Sequence, residues 1–226
     1  LVTITPMFSY RHAFHAGNHA DVFKHLTLTR LIALMSRKEQ PFAYLDTHAG
    51  IGLYDLQGDQ ASRTGEYLEG IARLWDQPDL PILTADYMQV LHEMNPDGQL
   101  RYYPGSPELA RRLTRPQDRV LLNEKHPEDG LLLKDNMAGD RRVKVHLGEG
   151  WHVARAMLPV QEKRAVMLID PPFAGELFAP ALAAGPTFPP LYGRVIDHGD
   201  LVSDAADLEV PHPRMHERRF VMVPVC

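Results

Sequence analysis

Four short strand-like runs, Phe42–Asp46, Val120–Glu124, Val143–Leu147 and Ala165–Asp170, constrain the fold of this chain most. Each is too short for a stable helix and reads as a strand, the first of them as a buried one. The segments between them are helical in pattern, and strands that alternate with helices predict a parallel, doubly wound α/β sheet. Ahead of the first run, Val22, Phe23, Leu26, Leu31, Ile32, Leu34 and Met35 recur at helical spacing, so Asn18–Arg37 is expected to form an amphipathic helix. Asp55–Pro104 reads as largely helical, with Tyr67, Leu68, Ile71, Leu74 and Trp75 on one face. A further helix is expected near Ala85–Met94, ended by the turn signal Asn95-Pro96-Asp97-Gly98, and another over Pro107–Leu113.

In open α/β sheets, ligands bind beyond the carboxyl ends of the strands. Every run here ends in polar residues. The first continues into Asp46-Thr47-His48-Ala49-Gly50-Ile51-Gly52. Asp46 can accept hydrogen bonds, and the glycines allow close backbone approach to a ligand, although a tight strand–helix turn also needs glycine. Asp46, Gly50 and Gly52 are therefore candidates by position. Glu124 closes the second run, where a carboxylate can bridge two ribose hydroxyls. The third run leads into Glu149-Gly150-Trp151, and Glu149 can either accept from an adenine amino group or start a helix.

The fourth run exits through LIDPPFAG, residues 168–175. The exocyclic amine of a nucleobase is a poor nucleophile, because its lone pair is delocalised into the ring. A carboxylate and a carbonyl at fixed distance draw its protons and restore lone-pair character. Asp170 supplies the acid, the double proline fixes the Pro171 carbonyl, and Phe173 can stack on the base. A plain strand terminator needs neither the acid nor the ring.

These residues resemble the signature of S-adenosylmethionine-dependent amino-methyltransferases. Longer stretches, SYRHAFHAGNHADVFKH (Ser9–His25), YLDTHAG (Tyr44–Gly50), RTGEYLEGIARLW (Arg63–Trp75), LRYYPGSP (Leu100–Pro107) and LIDPPF (Leu168–Phe173), are similar to the RlmJ-type family. The family methylates the N6 amine of one adenine in 23S ribosomal RNA, in protein-free or early-assembly form. The resemblance implies a Rossmann-like sheet with a helical subdomain inserted at about 55–104. It implies cofactor contacts at His25, His48, Ser106, Glu124, Glu149 and Gly150, a proton acceptor at Asp170, and a substrate contact at Tyr10. Glu149 departs from the aspartate usual there. Two other readings stay open: an RNA-binding chain without turnover, and a DNA adenine as substrate.

Charge and histidine content bear on partners. Formal net charge is −5, so basic clusters such as Arg111, Arg112 and Arg115, or Arg141, Arg142 and Lys144, are either solvated faces or local RNA contacts. His12, His15, His19 and His25 crowd one segment, but no cysteine or acid pair completes a ligand set and no metal is expected. The single cysteine is Cys226, no apolar run approaches bilayer length, and a cytoplasmic monomer is expected.

Residues 1–6 read as a leader and 7–178 as the methyltransferase domain, ending after its fourth strand. Such an ending is expected to leave the outer edge of that strand unpaired. Residues 179–226 read as a linker and an unrelated tail. Leu191–Pro224 resembles the C-terminal part of hydroxymethyl-dihydropterin pyrophosphokinase, which implies ATP contacts at His212 and Arg218. Thr187-Phe188-Pro189-Pro190 stands where that kinase needs metal-binding aspartates, so kinase activity is not expected.

Overall fold

A computed structural model describes residues 11–171 and the strand backbones at 196–197 and 221–225. Strand β1 (Ala43–Asp46) is buried along its whole length. It pairs in parallel with β4 (Arg119–Glu124) on one side and with β6 (Ala165–Ile169) on the other. Strand β5 (Val143–Leu147) pairs in parallel with β4, giving the order β5-β4-β1-β6. The chain steps outward from β1 to β4 and β5, then returns to the far side of β1 for β6. The order therefore reverses between β1 and β6, the position at which α/β sheets bind ligands.

Alternation along the strands sorts the core into two layers. Phe42, Tyr44, Val120, Leu122, Val166 and Leu168 face one side with Leu28 and Ile32 of α1 (His19–Ser36) and Leu133 of α6 (Pro127–Asn136). Ala43, Leu45, Leu121, Met167 and Ile169 face the other side with Ala154 of α7 (Gly150–Met157). Helices on both faces of a parallel sheet make the fold doubly wound, as the alternation of runs predicts.

The segment after β1 opens and closes on a two-stranded antiparallel ribbon, β2 (Leu53–Asp55) with β3 (Tyr102–Pro104). Between them lie three helices, α2 (Asp59–Thr64), α3 (Ala72–Trp75) and α4 (Ala85–Met94), with short 3-10 turns. They share a core of Leu56, Ile71, Tyr87, Leu91 and Tyr103, which also takes Ala16 and Val22 from the region of α1. Helix α5 (Ser106–Leu113) leads from the ribbon back to β4.

The expectation of an unpaired edge on β6 is corrected. Strand β8 (Val221–Val225) runs antiparallel along it, from Ala165↔Val225 to Ile169↔Val221, and β7 (Ile196–Asp197) pairs with β8. An open edge presents unpaired N–H and C=O groups, and an extended segment of the same chain can satisfy them. The rest of 179–226, including His212 and Arg218, lies outside the described residues.

Candidate active site

Strand β6 ends at Ile169 because Pro171 has no N–H to give a ladder. Asp170 sits in that gap, with a side chain 25% exposed and Oδ2 accepting from Lys24 Nζ at 2.7 Å. Its Oδ1 takes no hydrogen bond among the described residues. Pro171 is buried beside it. Phe173 and Tyr10 lie outside the described residues.

Lys24 comes from α1. Asn18 caps that helix, its Oδ1 accepting from Asp21 N at 2.9 Å, and its Nδ2 donates to Glu66 of the insertion at 2.8 Å. The buried stripe of α1 is not purely apolar, since Asp21, Lys24 and His25 share it with Val22, Leu28 and Ile32. Lys24 Nζ also lies 2.8 Å from Asp21 Oδ1. Asp21 Oδ2 accepts from His12 Nε2 at 2.8 Å and from Gly17 N at 3.1 Å. Burial alone pushes the Asp21 carboxyl up, but the charges of His12 and Lys24 outweigh it and hold the group well below the usual range. Burial likewise works against the Lys24 ammonium, and the two aspartates more than reverse that, so its pKa is raised.

His25 is 1% exposed. Its Nδ1 shares a hydrogen bond with Tyr103 OH at 2.9 Å, and Tyr103 OH meets Tyr87 OH at 3.0 Å. Its Nε2 is buried without a partner among the described residues. Burial pushes His25 down to about 3, so its ring is neutral near neutral pH. A buried orphan nitrogen has hydrogen-bonding capacity left for a ligand.

The ends of β1, β4 and β5 are stitched side by side. Asn123 Nδ2 donates to Thr47 O at 2.9 Å and Gly148 O at 3.1 Å. Asp46 accepts from Ser106 Oγ at 2.6 Å, Tyr44 OH at 2.8 Å and His48 N at 3.2 Å. Burial raises Asp46 to about 6, against the lowering effect of the Ser106 and Tyr44 hydrogen bonds. Ser106 thus spends its proton on Asp46, with its acceptor capacity remaining. Glu124 Oε2 accepts from Gly50 N and Oε1 from His126 N, each at 2.8 Å. Glu149 caps α7 through Oε2, which takes Trp151 N at 3.0 Å and His152 N at 3.1 Å. Gly50 and Gly52 both have positive φ, +63° and +79°, which favours glycine on conformational grounds alone. A Cβ on Gly150 would lie 2.8 Å from the His48 ring, so glycine keeps that approach open. Burial lowers the pKa of His48, while Asp170 and Glu149 oppose that effect.

The switch point therefore gathers Asp46, His48, Ser106, Asp170 and Pro171 with Lys24 and His25, and Glu124 and Glu149 follow along the same edge. Sequence reasoning missed Lys24 and Asp21. Their signal was opposite charges three residues apart on the face of α1 that otherwise carries apolar residues.

Other candidates separate. His12 goes to Asp21, His15 to Glu66 and His25 to Tyr103, and no group of three or more His, Cys, Asp or Glu among the described residues is placed to hold a metal. The arginine clusters lie before the amino ends of β4 and β5, opposite Asp170. Arg111 and Arg112 pair with Glu108, Arg115 with Asp118, and Arg142 with Asp140. Among the described residues, no helix is long and apolar enough to cross a membrane.

Comparison with known proteins adds a family to this geometry. Residues 39–177 match the model of the family described as "Ribosomal RNA large subunit methyltransferase D, RlmJ". Ribosomal RNA large subunit methyltransferase J of Escherichia coli K12 is 49% identical over 179 residues, covering 79% of this chain and 64% of that protein. Its Haemophilus influenzae counterpart is also 49% identical, over 168 residues, covering 74% of this chain and 60% of that protein. The chain thus spans under two thirds of the length of either relative. The crystal structure of protein LPL1258 from Legionella pneumophila, of family DUF519, superposes with a TM-score of 0.63 at 34% identity, covering 69% of this chain and 70% of that one.

Proposed function

The chain belongs to the RlmJ family of large-subunit ribosomal RNA methyltransferases, and from that premise we propose that it transfers a methyl group from S-adenosylmethionine to the N6 amine of an adenine in 23S ribosomal RNA. The observation that carries the proposal is Asp170, held by Lys24 at the carboxyl end of β6 beside a rigid proline carbonyl, at the reversal of strand order.

The residues present suit the cofactor. His25 Nε2 is a buried polar atom in want of a partner, Gly150 leaves room against His48, and Glu149 Oε1 is not used in capping α7. His25, His48, Glu124, Glu149 and Gly150 would hold it, with Asp46 and Ser106 setting the β1 end from behind. Bound there, S-adenosylmethionine supplies an electrophilic methyl on a sulfonium centre.

The chain's own residues do the rest. Oδ1 of Asp170 and the Pro171 carbonyl accept hydrogen bonds from the adenine amine, localising the nitrogen lone pair. Phe173 stacks on the extruded base and Tyr10 contacts it. Asp170 takes the proton that the nitrogen sheds as the new N–C bond forms. Positioning is the main catalytic device. We read the setting as cytoplasmic and the chain as a monomer, in keeping with a ribosomal RNA substrate.

Calorimetric titration with S-adenosylmethionine, followed by labelled methyl transfer to protein-free 23S ribosomal RNA, tests the proposal. Binding with transfer is expected. RNA binding without cofactor binding would favour an RNA-binding chain without turnover, and equal transfer to single-stranded DNA would remove the assignment to RNA.

A further inference from the structure

We propose that Asp21 is a positioning residue for Asp170, acting through Lys24: it anchors the lysine ammonium so that it takes only one oxygen of the Asp170 carboxylate and leaves the other to be presented to the adenine amine. The inference rests on the methyltransferase reading of Asp170.

Three contacts fix Asp21 itself. Its backbone N–H is held by Asn18, and its Oδ2 by His12 and Gly17 N. That leaves Oδ1 as a stationary seat for Lys24 Nζ at 2.8 Å, and the same ammonium reaches Asp170 Oδ2 at 2.7 Å. The lysine side chain is long and flexible, with three donors on one point charge. Here it is 7% exposed and strung between two carboxylates, one of them 2% exposed and the other 25%. A buried ammonium cannot stay without an anionic partner. With Asp21 neutral, Asp170 is, among the described residues, the remaining carboxylate within ion-pair distance, and the freed ammonium can fork across both of its oxygens. The acceptor would then be covered.

Asp21 also has an ordinary structural role. It is the third residue of α1, and its exchange of hydrogen bonds with the cap region follows the logic of a capping box. That role needs only an acceptor oxygen, which asparagine keeps. Anchoring the ammonium needs the charge. The two roles therefore come apart on Asp21→Asn.

The test is a double-mutant cycle. Asp21→Asn, Lys24→Met and the pair are compared for kcat and KM on 23S ribosomal RNA, with cofactor affinity measured by calorimetry. Asp21→Asn is expected to lower kcat at least tenfold with cofactor affinity within twofold of the parent, and to cost less than twofold more once Lys24 is methionine. An unchanged kcat, or the same loss in both backgrounds, overturns the proposal. Should Asp21→Asn fail to fold, Asp21→Glu against Asp21→Gln isolates the charge at constant length, and equal kcat in that pair overturns it. A second readout needs no turnover: the Lys24 ammonium should give a slowly exchanging signal in nitrogen-15 NMR, lost in Asp21→Asn. If the parent transfers no methyl, the functional reading fails while the NMR experiment still decides whether Asp21 anchors Lys24.

Discussion

Replacing Gly70 with alanine should loosen the seat of the active-site helix from a distance. Gly70 lies in the insertion, where its Cβ would fall on the Gly17 carbonyl oxygen and lie 2.5 Å from Asn18 C and 2.8 Å from Asn18 Cα. All three are backbone atoms and cannot rotate aside. The neighbouring Ile71 N donates to Gly17 O at 2.9 Å, and Asn18 is the residue that caps α1. Alanine must therefore push the insertion off the helix that carries Asp21, Lys24 and His25. Overpacking together with a weakened backbone hydrogen bond should cost about 3 kcal/mol. For a domain of this size that lowers Tm by about 6–12 °C. Gly98→Ala is the control: its φ is +77° but nothing lies within 4 Å, so only the backbone penalty of about 1–2 kcal/mol applies. Thermal melts followed by circular dichroism, with calorimetric titration of cofactor, should show the larger loss and weaker binding in Gly70→Ala. A Gly70→Ala variant that melts at or above Gly98→Ala would refute the reasoning.

Three further outcomes concern Ser106, His25 and Glu149. Ser106→Ala removes a hydrogen bond that favours ionised Asp46 and should cost about 1–2 kcal/mol at pH 8. Because Asp46 is raised to about 6 from 3.8, the fold takes up a proton as pH falls through that window and the unfolded chain does not, so the deficit should shrink by pH 5 in urea unfolding. His25 has the opposite sign: it is lowered from 6.5 to about 3, so its contribution is complete above 6.5 and lost as pH falls toward 3. His25→Gln should flatten that fall in the same measurement. Glu149→Ala removes the cap of α7, should cost about 1 kcal/mol, and should speed hydrogen exchange at the Trp151 and His152 amides.

Much of this fold is legible in the sequence, for physical reasons. The four parallel strands lie within a residue or so of their expected runs. Strands β4, β1 and β6 are covered on both faces and buried along most or all of their length, whereas β5, at the end of the sheet, is partly exposed throughout. The bounds of α1 and α4 match the expected ones closely, but Leu34, expected on the apolar face of α1, is 41% exposed. The ribbon β2–β3 was not legible, since three residues are too few to show alternation. The edge partner β8 was not legible either, because its pairing is between segments far apart in sequence. At the site, strand-end carboxylates were readable from position alone. The charged pair Asp21–Lys24 was hidden inside an apolar stripe, where its meaning depends on Asp170, 146 residues beyond Lys24. The hydroxyl of Ser106 was assigned a ligand from resemblance, and only the structure reveals that its proton goes to Asp46.

The central claim is that Asp170 accepts from the adenine amine during methyl transfer. The most direct measurement incubates the chain with S-adenosylmethionine and protein-free 23S ribosomal RNA, digests the RNA, and quantifies N6-methyladenosine by mass spectrometry for the parent and Asp170→Asn. The account predicts product with the parent and at least a hundredfold less with Asp170→Asn, at unchanged cofactor affinity. Equal product from the two proteins would contradict it.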